Sequence, residues 1–266
     1  MKIIRFIDSS GNIGYGAAED ATLKTARRLS DSPFASGVPT GGPVAVHRLL
    51  TPVEPVNILA IGLNYRRHAE ESNMAIPVRP ILFIKPTSTV IVPEDAIVLP
   101  LDSDEVDYEA ELAVVIGRTA RDVSEADALS YVLGYTCAND VSARDWQLRL
   151  DRQWARGKSF DTFCPLGPAI VTPDELPDPG ALAIGTRVSG ETLQSSQTSD
   201  LIFSVPQIIA YLSRGMTLLP GTVILTGTPE GVGMGRTPPR WLRPGDICEV
   251  ELEGIGVLRN PVVGAS

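Results

Sequence analysis

The stretch "VDYEAELAVVIG", Val106 to Gly117, decides the fold. Its second half is a run of small and branched apolar residues, the usual content of a buried strand. Glu109 and Glu111 stand where that run begins, two residues apart. Side chains alternate along an extended chain, so these two acids share one face while Tyr108, Ala110 and Leu112 take the other. Like charges this close at the edge of an apolar strand cost desolvation and repulsion. Either both face water on an edge strand, or something positive pairs with them.

A third acid shifts the balance toward the second reading, which becomes the better one only with the further segments below. The stretch "GYTCANDVSARDWQ", Gly134 to Gln147, passes through another apolar run and ends it at Asp140. Three carboxylates offered from the ends of core strands make a site for a hard divalent cation. Oxygen ligands select Mg²⁺ or Mn²⁺, with Ca²⁺ also open, over zinc. The chain has only two histidines, His47 and His68. Its three cysteines, Cys137, Cys164 and Cys248, form no C-x-x-C pair, which argues against a thiolate site and for reduced thiols in a cytoplasmic protein.

Outside these segments, short β-rich runs are punctuated by Pro and Gly: "PILFIKPTSTVIV", "LPGTVILTG" and "GDICEVELEGIGVL". "VNILAIGLNYRRHAEESN" reads as a strand turning into a polar helical turn. Helices are expected at "EDATLKTARRL", at "SEADALSYVLGY" with Ser124 as N-cap, and at "SVPQIIAYLSRG" ending at Gly215. "DSPFASGVPTGGPV" has the composition of a linker. Strands outnumber helices without alternating with them, so the fold class is mixed α/β, mainly β. The expected division is a small N-terminal β-hairpin and helix region with its linker over residues 1–50, then a catalytic domain over 51–266. Hydrophobic residues make up 43% and charged residues 21%, an ordinary globular balance. A net charge of −9 with no basic run excludes ordinary nucleic-acid binding, and no apolar run is long enough for a membrane span.

Seven segments in order resemble the fumarylacetoacetate hydrolase family: "IGLNYRRHAEE", "LFIKP", "VDYEAELAVVIG", "NDVSARDWQ", "RGKSFDTFCPLGP", "LTGTPEGVG" and "LRPGD". The resemblance implies a folded mixed β-sheet roll, a divalent cation, a homodimer, and chemistry on 2-oxo or β-diketo acids. It places metal carboxylates on Glu109, Glu111 and Asp140. Substrate groups fall on Arg144, Gln147, Lys158 and Thr228, and a His-x-x-Glu pair falls on His68 and Glu71.

On a helical turn His68 and Glu71 share a face, so the carboxylate can orient the imidazole for proton transfer. Lys158 can donate to developing negative charge, and Arg144 suits a carboxylate, although a surface ion pair with Asp145 is the commoner fate of such an arginine. These roles give the expected activity, a divalent-metal-dependent hydrolase cleaving a carbon–carbon bond in an acylpyruvate-like or β-diketo acid. The alternatives are a decarboxylase of oxaloacetate-type acids and an isomerase of 2-hydroxyhepta-2,4-diene-1,7-dioate type substrates. Substrate selection is expected from the segment around His68 and from the loops "VRP" (Val78 to Pro80) and "GRTPPRW". Two lookalikes fail. "GKS" at Gly157 lacks the earlier glycine of a phosphate loop, since Arg152 stands there, and paired prolines after "GTPEGVGMG" prevent the helix that dinucleotide binding needs.

Overall fold

The computed structural model describes residues 1–265. Strand Ala110–Ile116 lies inside an eleven-stranded sheet, antiparallel both to Val132–Asn139 and to Thr222–Leu225. It is therefore a central strand, buried on both faces. Along the sheet the order runs Ile13–Ala18, Thr25–Leu29, Pro39–Leu50, Lys2–Asp8, Cys164–Val171, Val132–Asn139, Ala110–Ile116, Thr222–Leu225, Asn57–Gly62 and Ile81–Lys85, with Val90–Ile91 branching onto Cys164–Val171. Thr222–Leu225 pairs in parallel with Asn57–Gly62, so the sheet is mixed.

A second sheet of five strands carries Glu191–Gln197, Ala183–Val188, Ile247–Leu252, Gly256–Gly264 and Ile97–Leu99. The two sheets close on a core in which Leu112, Val114 and Ile116 meet Ile208, Ile209 and Leu212 of helix Val205–Ser213 and Ile184, Val250 and Leu252 of the second sheet. On the opposite face of the central strand, Ala113 and Val115 pack with Ile58, Ala60, Val223 and Leu225. Period-2 alternation sends Glu109 and Glu111 to this second face, at the end where the apolar packing stops.

The N-terminal hairpin forms as expected, and Lys2–Asp8 pairs onward to Cys164–Val171, which joins the first residues to the large sheet. Two expected helices do not form. In "EDATLKTARRL" the Asp20 carboxylate accepts from the backbone N–H groups of Thr22 and Thr25, fixing a turn, and Thr25–Leu29 then pairs as a strand on both sides. In "SEADALSYVLGY" the Ser124 hydroxyl caps only a turn, with Asp127 N–H at 3.2 Å. The apolar residues that follow a 3₁₀ turn, Ala128–Tyr131, belong to strand Val132–Asn139, whose sheet neighbours outweigh local helix preference. The "linker" holds a 3₁₀ turn, Pro33–Ala35, and the start of strand Pro39–Leu50. Helix Val205–Ser213 does form, with a Ser204–Gln207 capping box. Among the described residues no helix is long and apolar enough to cross a membrane.

Candidate active site

Glu109 and Glu111 leave the start of the central strand, and Asp140 follows its neighbour Val132–Asn139, whose register places Ala110 opposite Asn139. Backbone pairing continues past the strands, Asp140 N–H donating to Glu109 C=O at 2.9 Å. Glu109, Glu111 and Asp140 are at most 4% exposed, and one oxygen from each lies within 4.8 Å of the others.

Cations close around two of these acids. Lys158 Nζ, delivered by the short helix Trp154–Gly157, donates to Glu109 Oε2 and to Asp140 Oδ2, each at 2.7 Å. Lys85 Nζ, from the end of Ile81–Lys85, donates to Asp140 Oδ1 and to the Lys158 carbonyl, both at 2.5 Å. Arg144 Nη2 lies 2.6 Å from Glu109 Oε1, and Nη1 donates to Gln147 Oε1 at 2.8 Å. Gln147 sits in a π-helical turn, Trp146–Leu150. Arg144 thus avoids the surface pair with Asp145, and turns inward to Glu109 and to Asp107.

Glu111 is different. Its Oε2 accepts from the backbone N–H of Gly227 at 2.6 Å, and among the described residues no lysine or arginine forms a direct ion pair with it. Gly227 has φ +101, and a Cβ there would lie 2.7 Å from Asn64 Cβ, so the turn that presents this N–H needs glycine. Burial, then the negative charges of Asp140 and Glu109, push the Glu111 carboxyl well above the usual carboxylate range. Burial also opposes ionisation of Glu109, but Lys158 and Arg144 outweigh it and hold that carboxyl low. Lys158 is disfavoured as a cation by burial, yet Asp140 and Glu109 raise it, so it stays protonated.

Four buried acids, Asp107, Glu109, Glu111 and Asp140, therefore face three cations, Arg144, Lys158 and Lys85. A close oxygen cluster short of positive charge is the donor set a hard divalent ion requires, so the residues present fit such an ion. Glu109, Glu111 and Asp140 would hold it.

The remaining expected residues gather at the same cavity. His68, Arg144, Gln147, Lys158 and Thr228 line it beside the three acids, together with the apolar side chains of Leu63, Met74, Phe83, Leu148, Trp154 and Met234. His68 is 7% exposed, and its Nδ1 lies 3.2 Å from Glu71 Oε2 across one turn of helix Arg66–Glu71. Glu71 stands behind His68 and also accepts from Gly231 N–H at 3.0 Å. Thr228 Oγ1 accepts from Gln194 Nε2 at 2.9 Å. The cavity encloses about 60 Å³, room for about two waters beside the acids. Val78, Arg79 and Pro80 line a separate surface groove against helix Val205–Ser213, outside the cavity that holds the three acids.

Three buried residues escaped the sequence reading. Lys85 ends "ILFI", and a lysine closing so apolar a run was the available signal. Asp107 is the second residue of the stretch Val106 to Gly117, two before Glu109. Gln194 Oε1 accepts from Ala110 N–H at 2.9 Å while its amide holds Thr228, a role no local pattern announces.

A sequence profile described as fumarylacetoacetate (FAA) hydrolase C-terminal matches residues 57–263, and one described as Rv2993c-like, N-terminal matches residues 1–60. The rat protein named oxaloacetate tautomerase Fahd2a, mitochondrial, is 50% identical over 215 residues, which is 80% of this chain and 69% of the relative. A solved structure of 5-carboxymethyl-2-hydroxymuconate delta-isomerase from Mycobacterium smegmatis aligns with a TM-score of 0.89 at 41% identity, covering 100% of both chains. Fumarylacetoacetate hydrolase from Exiguobacterium antarcticum aligns with a TM-score of 0.85 at 39% identity, again over 100% of both chains. With its acids, cations and folded sheets in this arrangement, the chain belongs to the fumarylacetoacetate hydrolase family of enzymes.

Proposed function

We propose that this enzyme interconverts the keto and enol forms of an oxaloacetate-type 2-oxo acid with the help of Mg²⁺ or Mn²⁺. The observation that carries this is the buried cluster of Glu109, Glu111 and Asp140, short of positive charge, within one cavity with Arg144 and Lys158. The names of the rat relative and of the Mycobacterium smegmatis protein, a tautomerase and an isomerase, support it. In such a reaction one proton leaves C3 and one is gained by the oxygen on C2, with no other bond broken.

A divalent cation supplies Lewis-acid stabilisation of negative charge at the 2-oxo group. Lys158, protonated and aimed at the same cluster, donates a hydrogen bond to that developing charge. Arg144 grips a substrate carboxylate from its guanidinium edge. Glu71 engages His68 Nδ1, which leaves Nε2 as the ring nitrogen that accepts and returns a proton. The apolar walls, Phe83, Leu148 and Met234, keep bulk water away from the charged intermediate.

The His68–Glu71 contact also favours a second reading, hydrolysis of an acylpyruvate-like acid, because the same imidazole can activate a water. Decay of the enol absorbance of oxaloacetate, followed with Mg²⁺, with Mn²⁺ and with chelator, separates the two. Metal-dependent acceleration of enol decay is the expected result. Enol decay at the buffer rate, alongside rapid cleavage of an acylpyruvate, would replace the tautomerase with the hydrolase. His68→Ala is expected to keep the metal-induced thermal shift while reducing turnover about 100-fold or more. Unchanged turnover would remove His68 from proton transfer.

The assembly proposed is a homodimer. Ile81–Lys85 is the last strand of the large sheet, with Leu82 38% and Ile84 58% exposed and no charge guarding the edge, since Lys85 points inward to Asp140. Antiparallel pairing with a second copy across a two-fold axis would cover it. Light scattering should give twice 28.4 kDa for the wild type and the single mass for Ile84→Lys. A monomeric wild type overturns the dimer.

A further inference from the structure

Asp107 ends the two-residue strand Val106–Asp107 and is fully buried. Its Oδ1 accepts from the backbone N–H groups of Tyr108 at 2.8 Å and Gly233 at 2.7 Å. Its Oδ2 accepts from Arg144 Nε at 2.8 Å and from the backbone N–H of Met234 at 3.1 Å. Four donors saturate the carboxylate, so Asp107 has no lone pair to offer an ion or a proton in transit.

Apart from the neighbouring Tyr108 N–H, the donors come from two segments that both face the cavity. Arg144 lies there with Gln147, which its other edge holds. Met234 lies there too, and the next residue, Gly235, is pressed against Glu71: a Cβ on it would stand 2.6 Å from Glu71 Cδ. One buried charge therefore ties the guanidinium beside the metal acids to the turn that backs the His68 partner. We infer that Asp107 is a positioning residue, fixing Arg144 and the Gly233–Met234 turn in a single mutual alignment so that a substrate carboxylate meets a guanidinium already aimed.

This rests on the proposal that Arg144 receives the carboxylate of a 2-oxo acid. It also explains why an acid stands at this position. Each oxygen faces two donors, so an asparagine amide, turned either way, sets its own N–H groups against two others. The guanidinium edge then loses its fixed orientation. A pre-aimed guanidinium saves the binding step the cost of ordering a long side chain.

The test uses oxalate as the probe, bound to the Mn²⁺-loaded protein and measured by calorimetry, with Mn²⁺ binding measured separately and with kcat and KM for oxaloacetate. Asp107→Asn and Arg144→Lys are each expected to raise the oxalate Kd and the oxaloacetate KM about 10- to 100-fold, while Mn²⁺ affinity changes by a much smaller factor. The double variant should be no worse than either single one, because both break the same arrangement. Effects that multiply, equal losses of Mn²⁺ and oxalate affinity, or a lowered melting temperature with normal oxalate binding would each overturn the inference. If Asp107→Asn does not fold, Arg144→Lys decides: it keeps the charge without the guanidinium fork, and wild-type oxalate affinity in it is an overturning result. A wild type that binds no oxalate and turns over no oxo acid defeats the parent proposal and this inference together. Wild-type function with both variants unaffected defeats this inference alone.

Discussion

Replacing Glu111 with glutamine should abolish divalent-cation binding and lower turnover about 1000-fold or more, while leaving the metal-free protein as stable as the wild type or more stable. The change is nearly isosteric, and the glutamine oxygen can still accept from Gly227 N–H. What it removes is the one carboxylate in the cluster that no cation pairs, repelled by Asp140 and Glu109. In the metal-free protein that charge opposes folding; in the loaded protein it is a ligand. Thermal unfolding of both proteins with and without Mn²⁺ separates the two roles. A variant that melts well below the wild type without metal, or still gains melting temperature with Mn²⁺, contradicts this account.

The same charge gives the metal-free wild type a pH signature. A carboxyl raised on folding favours the native state while protonated, so its contribution is fully present below the unfolded value of 4.5 and is lost as pH rises through the folded one. Glu109, held low, acts in the opposite sense: its contribution is present above 4.5 and is lost as pH falls through its folded value. Above about pH 5 the Glu111 slope is the one that operates. A carboxyl raised on folding competes with the metal for its proton, so the melting-temperature gain from Mn²⁺ should grow as pH rises above the ordinary carboxylate range and should vanish in the glutamine variant. A gain independent of pH would show that Glu111 is already ionised before the metal arrives.

Much of this centre was legible in the sequence because strand periodicity is rigid. Two acids two residues apart must share a face, and a third acid ending another apolar run is a natural neighbour, so Glu109, Glu111 and Asp140 could be drawn together before any coordinates. The resemblance then supplied His68, Arg144, Gln147, Lys158 and Thr228, all of which line one cavity. Local patterns failed where long-range pairing outweighed them. Val132–Tyr135 closes a segment expected to be helical, and its place between Ala110–Ile116 and Cys164–Val171 makes it the start of a strand instead. Asp107 and Gln194 act through partners more than 80 residues away, Gly233 for one and Ala110 for the other, and nothing in either one's own surroundings signals that.

Lys158→Met should produce the largest combined loss of stability and rate. The ammonium donates to Glu109 Oε2 and Asp140 Oδ2 at 2.7 Å and stands 5.5 Å over the Phe83 ring, in a side chain only 3% exposed. Methionine preserves much of the volume and the contact with Phe83, so the change is chiefly one of charge. Two buried carboxylates lose a shared partner, and breaking such a pair from one side costs about 3–5 kcal/mol. The donor to the developing enolate charge disappears at the same time, for a further fall in kcat of about 100- to 1000-fold. Glu109 is low in the wild type because Lys158 and Arg144 overcome its burial, so its carboxyl should rise in the variant. A depressed carboxyl contributes stability above its unfolded value and loses it as pH falls through the folded value. The deficit of the variant against the wild type should therefore be greatest near pH 7 and should narrow in acid, where both carry the proton. Divalent cation should restore part of the lost stability at pH 7, since it replaces charge that the lysine supplied, but not the rate, since it cannot replace the hydrogen bond. Urea unfolding at pH 7 and near pH 2, where wild-type Glu109 takes up its proton, with and without Mn²⁺, reads each part in turn. Equal deficits at both pH values would mean that Lys158 supports the fold by packing, and normal turnover would take it out of the reaction.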